Sequence, residues 1–280
     1  DAFAGGSMVE VIPSERKIIG YCRNNHGGVP ENFHNYFVII FDREFDFFST
    51  WVDGELSPGI RVQEGDHAGA VIGFRTERGE VVTARVASSF ISPEQALLNL
   101  ERETGSRSFD EIMEAGRNIW NRELGRIRVE GGSDDQVRTF YSTLYRTLLF
   151  PRMFHEVDAG GKIIHYSPYN GEIRPGRLFT DNGFWDTFRA AMPLITLMYP
   201  EVSSQIMEGL VNAYLESGWL PEWASPGHRD CMIGSNSASL IADAWLKGIR
   251  GYEIDTLWNA LIKNTMGHGP VHSVGRYGAA

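Results

Sequence analysis

The chain has 280 residues, enough for roughly two domains at about 150 residues each. Hydrophobic residues at 42% and charged residues at 22% are those of a folded globular chain, which argues against disorder. Twenty-six Lys and Arg stand against 36 Asp and Glu, a formal charge of −10, and this argues against a nucleic-acid binder or a polybasic membrane-surface protein.

No apolar run approaches the ~20 residues needed to cross a bilayer; the strongest, Met192 to Met198, is short and contains Pro193. Cys22 and Cys231 are too few and too distant for a disulfide scaffold or a Cys-based zinc site. The first residues, Asp1 to Met8, lack the regions of a secretory signal, and the glycine-rich stretch from Met266 ends without a closing helix. The chain therefore reads as a piece of a longer protein.

Residues 1–91 read as a partial β-sandwich. Lys17–Tyr21, Tyr36–Phe41, Ala70–Phe74 and Glu80–Val86 are β-branched or aromatic runs, separated by clusters such as Asn24-Asn25-His26-Gly27-Gly28. Thr76-Glu77-Arg78-Gly79 reads as a hairpin turn. The period changes at Ser92-Pro93-Glu94, where Ser at the N-cap and Pro at the first helical position start a helix. A second helix starts at Ser108, with Ile112, Met113, Ile119, Trp120 and Leu124 as its apolar stripe. These two helices suggest a linker over 92–131.

From 132 to 280 the pattern is helical. Ser133-Asp134-Asp135-Gln136 starts a helix that ends before Pro151. Others are expected from Phe184 to Ala191, bent or ended by Pro193, from Glu201 to Ser217, from Ser235 to Lys247, and from Tyr252 to Asn264. With no strand signal between them, this region reads as all-α.

Two constellations carry chemistry. In Phe184-Trp185-Asp186-Thr187-Phe188-Arg189, helical spacing sets Asp186 and Arg189 on one face among apolar neighbours. That arrangement is either an intrahelical ion pair or a partly buried ligand contact. The loop Gly218 to Met232 gathers Trp219, Glu222, Trp223, His228, Arg229 and Asp230, a density unusual for a connection. Flat indoles beside charged groups suit a sugar, whose C–H face stacks while its hydroxyls take hydrogen bonds. Four of the seven Trp, at 185, 219, 223 and 245, fall within about sixty residues. Asp181-Asn182 reads first as a helix cap, Asp158 as a turn residue, and Asn236 as either a cap or a ligand contact. His155, His165, His228, His268 and His272 have no metal-site spacing, and no P-loop, nucleophile elbow or dinucleotide fingerprint is present.

Trp185-Asp186-Thr187-Phe188-Arg189 with Pro193-Leu194, Ser217 to Pro221 with Trp223, Asp230 to Gly234, and Ile241 to Ala244 with Lys247-Gly248 together resemble the calcium-dependent exo-α-mannosidases of glycoside hydrolase family 92. The resemblance is close over Ser133 to Gly251 and looser before it. It implies an N-terminal β-sandwich joined by helices to an (α/α)6-barrel catalytic domain. It also implies inverting hydrolysis of terminal α-linked mannose, as in N-glycan degradation, with α-1,2 linkages first, and with Ca²⁺ in the full-length parent. Trp185, Asp186, Arg189, Arg229 and Asp230 match substrate-binding motifs. Trp223 and Glu222 join them as loop contacts, Glu222 without matching the family's acid motif.

The family's general acid, in a Glu-Gly-Asn stretch, and its base, in a Gly-Asn-x-Asp-x-Gly stretch, occur nowhere in residues 1–280 and are expected beyond them. No catalytic residue and no metal ligand is therefore assigned to this chain, which alone is expected to be inactive. The implied partners are mannose-containing glycans, without nucleic acid or a membrane-spanning segment; oligomeric state is left open, and a periplasmic or secreted location follows from the resemblance. Two other readings compete: a non-catalytic mannan-binding module using the same wall, and another (α/α)6 glycosidase of the trehalase or glucoamylase kind.

Overall fold

The computed structural model describes residues 5–232 and 234–275. Contacts divide the chain into two units, one reaching Ser106 and regaining Glu156–Lys162, the other made of Arg107–His155 and the chain from Ile163 onward.

The first unit holds β1 (Ser7–Ile12), β2 (Lys17–Cys22), β3 (Asn35–Phe41), β4 (Phe47–Val52), β5 (Glu55–Pro58), β6 (Val62–Gly65), β7 (Ala68–Gly73), β8 (Ala84–Ser89) and helix α1 (Pro93–Glu103). Its sheets run β6-β1-β2-β3-β8 and β5-β4-β7, with antiparallel neighbours throughout. Alternation along the strands explains the layering. Val9, Val11, Ile18 and Ile39 face Ala68, Ala70 and Ile72 of the second sheet across one core. Their neighbours Ile19, Val38 and Ile40 point the other way and are covered by Ala96, Leu97 and Leu100 of α1. The result is a sandwich with a helix on its outer face.

Ser92 caps α1, its hydroxyl accepting from Gln95 N at 3.1 Å. Glu156 fastens the returning segment, accepting from Ser89 Oγ and Phe90 N on one oxygen and from Asn99 Nδ2 on the other. The strand expected over 80–86 begins only at Ala84. Glu80 is drawn into a turn instead, its carboxylate held by Arg43 and Glu77 N.

The second unit opens with α2 (Phe109–Leu124) and α3 (Asp134–Thr147), each started by a capping box, Ser108 with Glu111 and Ser133 with Gln136. The stretch expected as a linker thus divides: α1 lies on the sandwich, α2 in the helical unit. Short strands follow along the chain: β9 (Arg152–Met153), β10 (His155–Val157, its last two residues in the first unit), β11 (Ile163–Tyr166), β12 (Ile173–Pro175), β13 (Phe179–Thr180) and β14 (Asn182–Gly183). Then come α4 (Phe184–Thr187), α5 (Ala191–Met198), α6 (Pro200–Ser217), β15 (Trp223–Ala224), α7 (Asn236–Leu246) and α8 (Ile254–Met266).

The all-α expectation is corrected here, because strands of two to four residues are too short to show a period. The helix expected from Phe184 to Ala191 breaks after Thr187, and Pro193 sits in the first turn of α5, where its missing N–H costs nothing. The α5–α8 core is apolar, with Ile206, Met207, Leu220, Ile241, Leu257 and Ala260 all buried. His165 of β11 is fully buried and ties its hairpin to the end of α6, with Nδ1 on Gly176 O and Nε2 on Glu216 Oε1. No helix among the described residues is long and apolar enough to cross a membrane.

Candidate substrate-binding site

The site is built where β14 meets β15. Asn182 pairs with Ala224 and Gly183 with Trp223, which brings the start of α4 against the Trp223–Asp230 loop. The approach at Gly183 requires glycine. A Cβ there would lie 2.4 Å from both Asp186 Oδ2 and Trp223 Cε3, so a carboxylate and an indole close on the same backbone point. Phe184 N donates to Glu222 O at 3.1 Å and secures the junction.

Asp181, expected as a cap for α4, does other work. Its backbone is left-handed, φ +55°. Its Oδ2 accepts from Arg152 Nε at 2.7 Å and its Oδ1 from Ser225 Oγ at 2.9 Å, joining β9, the bend before β14 and the loop after β15.

Asp186 and Arg189 are both exposed, not partly buried as expected, because α4 lasts a single turn. The Arg189 guanidinium lies 4.3 Å from the ring centres of Trp185 and of Phe188, and it donates to Trp185 O. Trp185 is 39% exposed and presents its indole outward, with that guanidinium over its ring. Asp186 remains available to a ligand.

Across the junction, Arg229 N donates to Trp223 O, and the buried Ser273 braces the loop, donating Oγ to Arg229 O and N to Asp230 Oδ1. The charges of Arg229, Asp230 and Asp186 all reach the Cys231 thiol. Burial pushes that thiol up, Arg229 pulls it down, and the two carboxylates push it up again. Asp186, Trp223, Arg229 and Asp230 therefore share one neighbourhood, with Trp185 next to Asp186 in the chain. Of the residues that hold it, Arg152 and Ser273 carry no local pattern that singles them out, and Asp181 stands out only as a helix cap.

Glu222, expected as a sugar contact, is 1% exposed. It accepts from Asn236 N and Ser237 N on Oε2 and from Ser237 Oγ on Oε1, capping α7 in place of Ser235, whose side chain makes no cap bond. Burial pushes its carboxyl up to about 7, against the pull of these donors. His228 is also buried, its ring 4.8 Å from that of Tyr169, and burial pushes its imidazole down to about 4.

Among the described residues, no group of three or more His, Cys, Asp or Glu side chains is placed to hold a metal. No step below runs through the calcium that the resemblance implies.

The chain matches the glycosyl hydrolase family 92 catalytic domain over residues 95–279 and the family's N-terminal domain over residues 2–89. It superposes on a family GH92 inverting mannosidase from Bacteroides thetaiotaomicron VPI-5482 with a TM-score of 0.95 and 49% identity, covering 99% of this chain and 38% of that one. A second GH92 α-mannosidase from Bacteroides thetaiotaomicron, solved in complex with mannoimidazole, gives a TM-score of 0.85 at 26% identity, with 94% of this chain and 35% of that one covered. An uncharacterized secreted glycosidase of Arthroderma benhamiae is 30% identical over 199 residues, 69% of this chain and 21% of its own length. The chain spans well under half the length of each of these relatives. The two family matches cover nearly all of it, and it belongs to glycosyl hydrolase family 92.

Proposed function

We propose that the protein carrying this chain is an inverting exo-α-mannosidase, and that this chain supplies the wall that binds the terminal mannose. The observation that carries the reading is the convergence at Gly183 of the Asp186 carboxylate and the Trp223 indole, with Trp185, Arg229 and Asp230 alongside. An indole face takes the apolar C–H side of a pyranose. Asp186 and Asp230 accept from hydroxyls, and Arg229 donates to ring or hydroxyl oxygens. The Asp186 and Asp230 carboxylates, aimed at the sugar, stabilise the positive charge that develops in the oxocarbenium-like transition state. The neighbouring inverting mannosidase supports the stereochemistry, and family membership sets aside the trehalase-like alternative.

The acid that protonates the leaving oxygen and the base that activates water are assigned to parts of the protein outside these 280 residues, and calcium to the full-length protein. EDTA is expected to abolish turnover by the whole protein, and added Ca²⁺ to restore it. We further propose N-glycans as the source of mannose, α-1,2 as the preferred linkage, and an exported protein, the last supported by the secreted relative. The test is hydrolysis of α-1,2-, α-1,3- and α-1,6-mannobiose by the whole protein, with the first-formed anomer read by NMR. β-Mannose is expected first. α-Mannose first would overturn inversion, and saturable binding without turnover would replace the enzyme reading with that of a mannan-binding module.

A further inference from the structure

Unpartnered buried polar atoms gather directly beneath this wall. Among the described residues, Asn182 leaves both Oδ1 and Nδ2 without a protein partner, Thr180 leaves Oγ1, and His228 leaves both ring nitrogens. All three side chains are at least nine-tenths buried: Thr180 is 2% exposed, Asn182 4% and His228 9%. They are also neighbours in the fold. Thr180 ends β13, Asn182 begins β14, and His228 bridges to Ala224, the strand partner of Asn182. A buried amide left without hydrogen bonds forfeits the bonds it made to water in the unfolded chain, so folding leaves it strongly destabilised unless something satisfies it. Since the surrounding side chains already seal these atoms from bulk solvent, whatever satisfies them must lie inside.

Asn182 lines a small cavity with Tyr169, Phe179, Leu210, Pro221 and Ala224. About 20 Å³ of it is open to the centre of a water molecule. One water needs roughly 10–15 Å³ by the same measure. The space is of the order of a single water and far too small for an organic ligand. Besides the Asn182 amide, the Tyr169 hydroxyl is the one polar side-chain group among the lining residues, and the rest are aliphatic or aromatic. Burial, together with the nearby Glu216 charge, holds the Tyr169 hydroxyl in its neutral form, so no ion is invited.

We infer that this cavity is an internal hydration site, in which one ordered water hydrogen-bonds the Asn182 amide. The water fixes the side chain of the residue whose backbone sets the register of β14 on β15, and hence the residue before Gly183, where Asp186 and Trp223 meet. The inference stands on burial and cavity geometry and does not depend on the mannosidase reading.

The test is a crystal structure of the whole protein at a resolution that shows ordered solvent, for the wild type and for Asn182→Leu. The wild type is expected to show one solvent peak in the cavity, about 2.7–3.2 Å from Asn182 Nδ2 or Oδ1. In Asn182→Leu that peak is expected to vanish, since leucine fills the space and offers no polar atom. An empty wild-type cavity, an Asn182 amide turned onto a protein partner, or a water that stays in place beside the leucine would each overturn the inference. If the variant does not fold, the wild-type density decides alone.

Discussion

The wall and the layer beneath it treat polar groups in opposite ways, a few residues apart. Asp186, Asp230 and Trp185 lie exposed, and Asp186 comes within reach of a ligand. Glu222, His228 and Asn182 are sealed away, one spent on a helix end and two without protein partners. A group that must bind and release a sugar has to stay solvated between turnovers. A group that must keep the wall in place can be desolvated once, on folding, and its cost charged to stability. Wall substitutions should therefore move kinetics and leave stability alone, and substitutions beneath should do the reverse.

The largest expected effect is beneath. Glu222→Ala removes the acceptor of Ser237 N and Ser237 Oγ and one acceptor of Asn236 N at the start of α7 and opens a cavity, and it should cost about 3–4 kcal/mol in urea unfolding. Unchanged stability with lost binding would return Glu222 to the wall and break the contrast.

Next comes pH. The Glu222 carboxyl keeps its proton in the folded chain up to about pH 7, where an ordinary carboxyl has lost it. The stability it contributes is full below about pH 4.5 and is lost as pH rises through 7. His228 has the opposite sign: held neutral down to about pH 4, it contributes fully above an ordinary imidazole value near 6.5 and loses that contribution as pH falls toward 4. The two slopes oppose each other between about 4.5 and 6.5, so wild-type stability alone will not reveal either. Glu222→Gln should remove the loss on the alkaline side, gaining about 2–3 kcal/mol at pH 8 relative to pH 5 when compared with wild type. A difference that does not change with pH would mean the carboxyl is not desolvated.

This contrast also explains what could be read in advance. Wall residues were legible because charge among aromatics is a local pattern: Trp185-Asp186-Thr187-Phe188-Arg189 and the Trp223–Asp230 loop stand out without any knowledge of contacts. Helix starts at Ser92, Ser108 and Ser133 were legible for the same reason, since each cap lies within three residues of its donor. The supporting layer was not. Glu222 caps a helix that begins fourteen residues later, Asp181 bonds to Arg152, and Asn182 is buried by side chains from α6; none of these leaves a local trace. Strands β9, β13, β14 and β15 have two residues each, too few for alternation to register. The ion-pair alternative for Asp186 and Arg189, and their expected partial burial, assumed a helix longer than the one turn that forms.

On the wall, Asp186→Ala should lower kcat/KM on mannosides by at least ~2 kcal/mol, about 30-fold, with a melting temperature within about 1 °C of wild type. Wild-type kinetics would remove Asp186 from the site, and a large fall in stability would show that its contact over Gly183 is structural.

Arg189 offers the finest division, because it belongs to the wall by exposure and to the support by its contacts. Its guanidinium lies over Trp185 and Phe188, where an exposed cation–π contact is worth about 0.5–1 kcal/mol. If it only steadies the Trp185 indole, Arg189→Ala should raise KM about 2–5-fold and leave kcat unchanged, since a less ordered platform weakens ground state and transition state equally. Lysine places a cation over the ring without the planar stack, so Arg189→Lys should recover part of that loss. A fall in kcat that lysine does not repair would mean that Arg189 reaches the sugar itself when it is bound.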